Sequence, residues 1–194
     1  MNAPRLILGS TSRYRAELLG RLTSDFEQYS PGTDEAALPD EAPATRALRL
    51  AIAKARAASA GLTDALVIGS DQVAELHGRV LDKPGSAERA QEQLLASSGQ
   101  SVRFHTALCL FDTRDGSQRT HVDLTEVHFR TLDQEEISRY IKREQPLDCA
   151  GSFKCEGLGI ALFERIDNTD PTALIGLPLI ALARLLREAG LPFP

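Results

Sequence analysis

The side chains best able to do chemistry are scattered along this chain, and the first of them crowd one turn. LILGSTSRYR places Ser10, Thr11 and Ser12 directly ahead of Arg13 and Arg15. Hydroxyls and a cation at the start of a helix suit phosphate chemistry, because free backbone N–H groups and the positive end of the helix dipole meet there. They suit a plainer role equally well, in which Ser10 or Ser12 caps the helix and the arginines are solvated. Spacing alone leaves the two readings level.

Further along, VIGSDQV sets Asp71 inside an otherwise apolar strand. An isolated carboxylate there is costly unless it meets a metal, a cation or a reacting water, so a functional role is favoured. In LDKPG, Lys83 precedes a proline in a turn that can aim an ammonium into a cleft, although an exposed turn lysine is the commoner case. CAGSFKCEGLG is rich in small residues around Phe153 and Glu156, which suits backbone passing close to a ligand or tight sheet packing.

Several familiar sites are absent. There is no GxxxxGK[ST] loop, no GxGxxG after the first strand and no HExxH, and His77, His105, His121 and His128 never fall at tight metal-ligand spacing. A formal net charge of −5 with no dense basic run argues against nucleic-acid binding but leaves room for a small anion. The odd thiol count, from Cys109, Cys149 and Cys155, with no CxxC pair, points to a reducing cytoplasm. The N-terminal residues lack a signal-peptide core, and the longest apolar run is broken by Pro178 and Arg184, so no membrane span is expected.

The elements that must position these residues follow from periodicity. Leu6 to Gly9 reads as a buried strand, followed by a helix carrying Leu18, Leu19 and Leu22. Phe26 to Tyr29 is a second short strand, and a proline-marked acidic loop then holds Asp34 and Glu35. From Thr45 to Ala60, a helix presents Leu48, Ala51, Ile52 and Ala55 on one face, with Lys54 at its edge. Strands are expected over Ala65 to Leu76, Val102 to Phe111, Val122 to Phe129 and Gly159 to Ile166. AELHGRV is read as a hairpin turn, and Asp115-Gly116 as another. Helices over Ser86 to Ser98, Gln134 to Arg143 and Leu177 to Ala189 complete an α/β pattern. Hairpins and crossover helices together predict a mixed sheet flanked by helices. At 194 residues, one domain spanning residues 1 to 194 is expected.

Taken together the segments resemble the Maf family of nucleoside triphosphate pyrophosphatases over nearly the whole chain. The opening strand with SxSxxR is matched by Ser10, Ser12 and Arg15, the acidic loop by Asp34 and Glu35, and the helix lysine by Lys54. Asp71 matches the central aspartate, and Lys83 with Pro84 the KP turn. Within the family, GSDQV and CAGSFKCEGLGIALFE are most similar to the subfamily that hydrolyses 7-methyl-GTP, with Tyr14, Gln72 and Glu156 at its specificity positions. Where that subfamily often has proline and tryptophan, this chain has Arg13 and Tyr14, and Asp82 precedes the KP turn in place of glycine.

The resemblance implies a mixed sheet with two lobes around a cleft, as in inosine triphosphatase-like folds. It implies cleavage between the α and β phosphates with Mg²⁺ or Mn²⁺, giving a nucleoside monophosphate and diphosphate. Arg15, Lys54 and Lys83, with Ser10 and Ser12, would clamp the triphosphate; Asp71 would act as base, with Glu35 and Asp71 at the metal. Tyr14 and Glu156 would meet the cationic methylated guanine. The alternatives are a dTTP or UTP pyrophosphatase of the same family, and a nucleotide-binding regulator of cell division. A nucleoside triphosphate is the expected partner, with a homodimer left open.

Overall fold

The computed structural model describes residues 4–192. Among the described residues, five α-helices and seven strands run in the order β1 (Arg5–Gly9), α1 (Arg13–Leu19), β2 (Glu27–Tyr29), α2 (Pro43–Ala58), β3 (Ala65–Leu76), β4 (Arg79–Val80), α3 (Ala87–Ser97), β5 (Ser101–Asp112), β6 (Gln118–Phe129), α4 (Gln134–Glu144), β7 (Phe163–Asp167) and α5 (Leu179–Glu188). The sheet order is β2-β1-β3-β5-β6-β7, with β4 paired to β3. β1 runs parallel to both β2 and β3, whereas β4 and β7 pair antiparallel with β3 and β6, so the sheet is mixed as the sequence predicts.

The chain forms two compact units. The first holds residues up to Asp71, Thr106–Asp123 and the chain from Asp170 onward; the second holds Gln72–His105 and Leu124–Thr169.

In the first unit β1 and the start of β3 are buried on both faces, which is why LILG and ALVIG read as unbroken apolar runs. On one face Leu6, Leu8, Leu66 and Ile68 pack with Leu18 and Leu19 of α1 and with Leu182, Leu185 and Leu186 of α5. On the other, Ile7 and Val67 pack with Ala58 of α2. Ahead of α5, the buried Asp170 carboxylate accepts from the Thr172 and Ile180 N–H groups at 3.0 and 2.7 Å, and the Thr172 hydroxyl lies 2.6 Å away.

The second unit carries the β3–β4 hairpin, which turns through His77 (φ 51°) and Gly78 (φ 80°). Its core holds Phe104, Phe129, Phe153 and Phe163, stacked edge to face with centroids 4.7 to 5.6 Å apart.

Two expectations are corrected. The buried stripe of α2 is Ala47, Leu50, Ala51, Lys54, Ala55 and Ala58, while Leu48 and Ile52 are only half-buried. Lys54 therefore lies within the buried face, and not at its edge. The reason is close packing against glycines: a Cβ on Gly69 would stand 2.1 Å from the Ala51 carbonyl oxygen, and one on Gly9 would stand 3.0 Å from that of Lys54. Small residues, and not the largest apolar ones, set the approach. The second correction concerns the expected strand over Gly159 to Ile166. It begins only at Phe163, because Leu158–Leu162 forms a 3₁₀ turn in which a Cβ on Gly159 would meet the Lys154 carbonyl oxygen at 2.4 Å.

Gly69→Ala is expected to lower stability by about 3 kcal/mol, since the added methyl meets backbone that cannot yield cheaply; urea denaturation measures it. A second expectation concerns Asp123, buried on β6 with Oδ1 unpartnered among the described residues. Burial, then the Asp170 carboxylate, pushes its pKa up, and His121 offsets part of this. The folded chain then holds that proton more tightly than the unfolded chain. Its stabilising share is complete below the unfolded value of about 3.9 and lost as pH rises through the raised folded value. Asp123→Asn should match the wild type near pH 3 and exceed its stability near pH 7, as read by urea midpoints at each pH.

Candidate active site

The first unit gathers seven of the sequence-predicted residues: Ser10, Ser12, Tyr14, Arg15, Glu35, Lys54 and Asp71. α1 begins at Arg13 with Ser12 as N-cap, its hydroxyl accepting from the Arg15 N–H at 3.4 Å. Ser10 is buried, and its hydroxyl oxygen accepts from the Ser12 N–H at 3.1 Å and from Arg15 Nη1 at 3.3 Å. Ser12 thus caps the helix, as one of the two readings of this turn has it, while Ser10 fixes the Arg15 guanidinium, which is therefore not simply solvated. Arg15 Nε donates to the Gly176 carbonyl at 3.0 Å.

The centre of the site is an ammonium between two carboxylates. Lys54 Nζ stands 2.5 Å from Asp71 Oδ1 and 2.7 Å from Glu35 Oε1. Lys54 and Asp71 are only 5% and 6% exposed, whereas the Glu35 side chain, on the loop before α2, is 56% exposed. Parallel pairing of β1 with β3 sets the turn after Gly9 beside the strand that leads to Asp71, and α2 crosses over both. Burial lowers the pKa of Arg15 from its ordinary value, and the Asp71 and Glu35 carboxylates oppose that shift. The guanidinium keeps its charge throughout. Two cations and two anions therefore balance within one small region.

The Glu35 loop is tied to α2 as well. Arg49 donates to the Ala36 carbonyl at 3.0 Å and grips Glu41 with two bonds of 2.6 and 2.7 Å, while Arg46 reaches the Glu35 carbonyl at 3.3 Å. Sequence reasoning missed these arginines, although their spacing from Lys54 on one helix was a usable signal. It also missed Ser70 and Gly176. The buried Ser70 hydroxyl lies 2.9 Å from the Gly176 carbonyl and 2.8 Å from that of Ala107. No local pattern could link Gly176 to Arg15 across the length of the chain.

Tyr14 is half-buried, and its ring is not bare: the Arg13 guanidinium lies 4.8 Å from the ring centroid and donates to the hydroxyl at 2.9 Å.

Gln72, Lys83 and Glu156 belong to the second unit. Gln72 is half-buried on β3, directly after Asp71 in the chain. Lys83 is exposed on a turn fixed by buried Pro84, by the Gln93 amide donating to the Asp82 carbonyl at 2.9 Å, and by the Gly85 N–H donating to the Leu147 carbonyl at 3.0 Å. Glu156 is exposed on a loop anchored to α4. There the Leu158 N–H donates to Glu144 at 2.9 Å, the Lys154 N–H to the Tyr140 hydroxyl at 3.1 Å, and Lys154 Nζ to the Glu144 carbonyl at 3.1 Å.

Among the described residues no group of three or more His, Cys, Asp or Glu side chains could hold a metal ion. Two carboxylate oxygens that already share one cation are nevertheless a fitting donor set for a hard divalent ion that takes its remaining ligands from phosphate and water.

The first unit of this mixed α/β fold thus sets a buried aspartate and two cations beside a serine-rich turn. Residues 5–189 match the family described as "Maf-like protein". Similar proteins include one from Xanthomonas axonopodis pv. citri (strain 306) named "7-methyl-GTP pyrophosphatase", 59% identical over 98% of this chain and 100% of that protein. Another of the same name, from Burkholderia thailandensis (strain ATCC 700388 / DSM 13276 / CCUG 48851 / CIP 106301 / E264), is 56% identical over 97% of this chain and 89% of its own length. The chain belongs to the Maf family.

The cluster predicts an asymmetry in stability. Lys54→Met leaves two carboxylates facing each other without their cation and should cost about 3 kcal/mol, as loss of one partner of a buried ion pair does. Asp71→Asn leaves Lys54 paired with Glu35 and should cost about 1 kcal/mol. Urea denaturation of the two variants checks the ranking.

Proposed function

We propose that this chain is a nucleoside triphosphate pyrophosphatase acting on 7-methyl-GTP to give 7-methyl-GMP and diphosphate. The observation that carries the reading is near-complete coverage by relatives bearing that name. The buried Asp71–Lys54 pair, with Glu35 on its solvent side and Arg15 alongside, supports the chemistry.

A nucleoside triphosphate brings close to four negative charges, and more charge gathers on diphosphate as it leaves. Cations held in place before the reaction lower that barrier more than flexible ones, since they need not reorganise. Arg15 is such a cation, fixed by Ser10 and Gly176. Lys54 is a second, and Lys83, with the Ser10 and Ser12 hydroxyls, completes the proposed clamp. Glu35 and Asp71 would hold a divalent cation, Mg²⁺ or Mn²⁺, which supplies charge neutralisation on the phosphate oxygens when bound.

Asp71 is the proposed base. Water attacks the α-phosphorus, the bond from that phosphorus to the oxygen bridging to the β-phosphorus breaks, diphosphate departs with that bonding pair, and the proton of the water passes to the Asp71 carboxylate. Glu156 is the proposed partner of the positively charged methylated guanine, and Gln72 is a second proposed specificity residue. Tyr14 presents a ring already stacked with Arg13, so a stacked base must displace that guanidinium or use the opposite face.

Both units are read as parts of one catalytic domain, since the family match runs through both. No helix among the described residues is long and apolar enough to cross a membrane, and Cys109, Cys149 and Cys155 are all free thiols, which agrees with action in the cytoplasm.

Diphosphate release across 7-methyl-GTP, GTP, dTTP and UTP tests the reading. The methylated nucleotide should give the highest kcat/KM, and Asp71→Asn should lower it by about 100-fold or more. Glu156→Gln should erode the preference over GTP. A pyrimidine nucleotide as best substrate would move the chain to the other branch of the family, and nucleotide binding without diphosphate release would favour a regulatory protein.

A further inference from the structure

Lys54 stands between the two carboxylates that would hold a divalent cation. Its ammonium bridges Asp71 Oδ1 and Glu35 Oε1 at 2.5 and 2.7 Å, and these carboxylates are the fitting metal donors. A divalent cation that joins the same two oxygens while the ammonium stays meets like charge a few ångströms away, and with Lys54 and Asp71 only 5% and 6% exposed that repulsion is incompletely screened.

We propose that Lys54 is an internal counter-ion that a divalent cation displaces, so that metal binding moves its ammonium from carboxylate to phosphate. This rests on the pyrophosphatase reading for its purpose, though not for its measurement.

Three features make Lys54 the member that moves. Its backbone is fixed, with its carbonyl oxygen 3.0 Å from where a Cβ on Gly9 would stand, so displacement is a rotation of the side chain alone. A lysine stem has four rotatable bonds and carries a compact charge, which suits a change of partner. Arg15 cannot take the part, because its guanidinium is bonded to Gly176 and Ser10. The exposed Glu35 side chain gives an ion a route in from solvent.

The arrangement couples two ligands. Without metal, Lys54 masks the carboxylates and is itself neutralised, leaving Arg15 as the fixed cation of the cluster. With metal, the carboxylates are neutralised and an additional ammonium faces the triphosphate. Metal alone must compete with Lys54, whereas metal with nucleotide gives Lys54 a new partner, so each ligand should tighten the other reciprocally.

The test uses Mn²⁺ alone with nucleotide-free full-length protein, free Mn²⁺ being counted by electron paramagnetic resonance. Removing the competing ammonium in Lys54→Met should tighten Mn²⁺ binding about tenfold or more, and Asp71→Asn should weaken it. On the wild type, the Lys54 Cε signal, assigned by its loss in Lys54→Arg, should shift as Mg²⁺ is added. That titration decides the matter alone if Lys54→Met does not fold. Equal Mn²⁺ affinity in wild type and Lys54→Met, or a Lys54 signal unmoved by Mg²⁺, overturns the proposal. Absence of diphosphate release would instead remove the enzymatic reading while leaving both titrations interpretable.

Discussion

A single ammonium held between two carboxylates governs the arrangement of the first unit. Burying Asp71 within an apolar strand is affordable only if a cation arrives with it, and Lys54 must cross from a helix to reach it. That requirement propagates outward. α2 has to lie close over β1 and β3, which demands glycine at positions 9 and 69 and alanine at 55 and 58. A larger residue at any of these contacts would lift the helix and draw the ammonium away from its carboxylate.

The same packing explains why the remaining groups are ordered in their positions. Arg15 is held by partners remote in sequence, Ser10 on one side and Gly176 on the other, and the Gly176 carbonyl also lies beside the Ser70 hydroxyl. The loop leading to Gly176 is braced in turn by Asp170, whose carboxylate takes up N–H groups of Thr172 and of the first turn of α5. Fixed dipoles and cations of this kind are what phosphate cleavage needs, because the charge that develops must be met by groups that do not have to rearrange. Glu35 is the contrasting member: it sits on an exposed loop strapped by Arg46 and Arg49, where an incoming ion can reach it.

The second unit supplies Lys83, Gln72 and Glu156, and its construction is of another kind. An edge-to-face cluster of four phenylalanines forms its interior, and the loop bearing Glu156 is fastened to the end of α4 by Glu144, Tyr140 and Lys154. The fixed acid and cations of the proposed chemistry thus lie mostly in one unit, and two of the proposed base-recognition residues in the other, with Tyr14 the exception.

By itself the sequence determined the class of fold, the order of its elements and the identity of the chemical groups. Unbroken apolar runs marked β1 and β3, Asp115-Gly116 marked the β5–β6 turn, Ser86 marked the start of α3, and an aspartate inside VIGSDQV stood out because a lone carboxylate there is costly. These signals are local, set by propensity, periodicity and burial. Only the tertiary structure decided which groups meet. The apolar periodicity of α2 favoured Leu48 and Ile52, yet close approach at Gly9 and Gly69 turned Lys54 into the packed face. It likewise tied Arg15 to Gly176. Such contacts depend on how near one backbone can come to another, a distance that no run of neighbouring residues encodes.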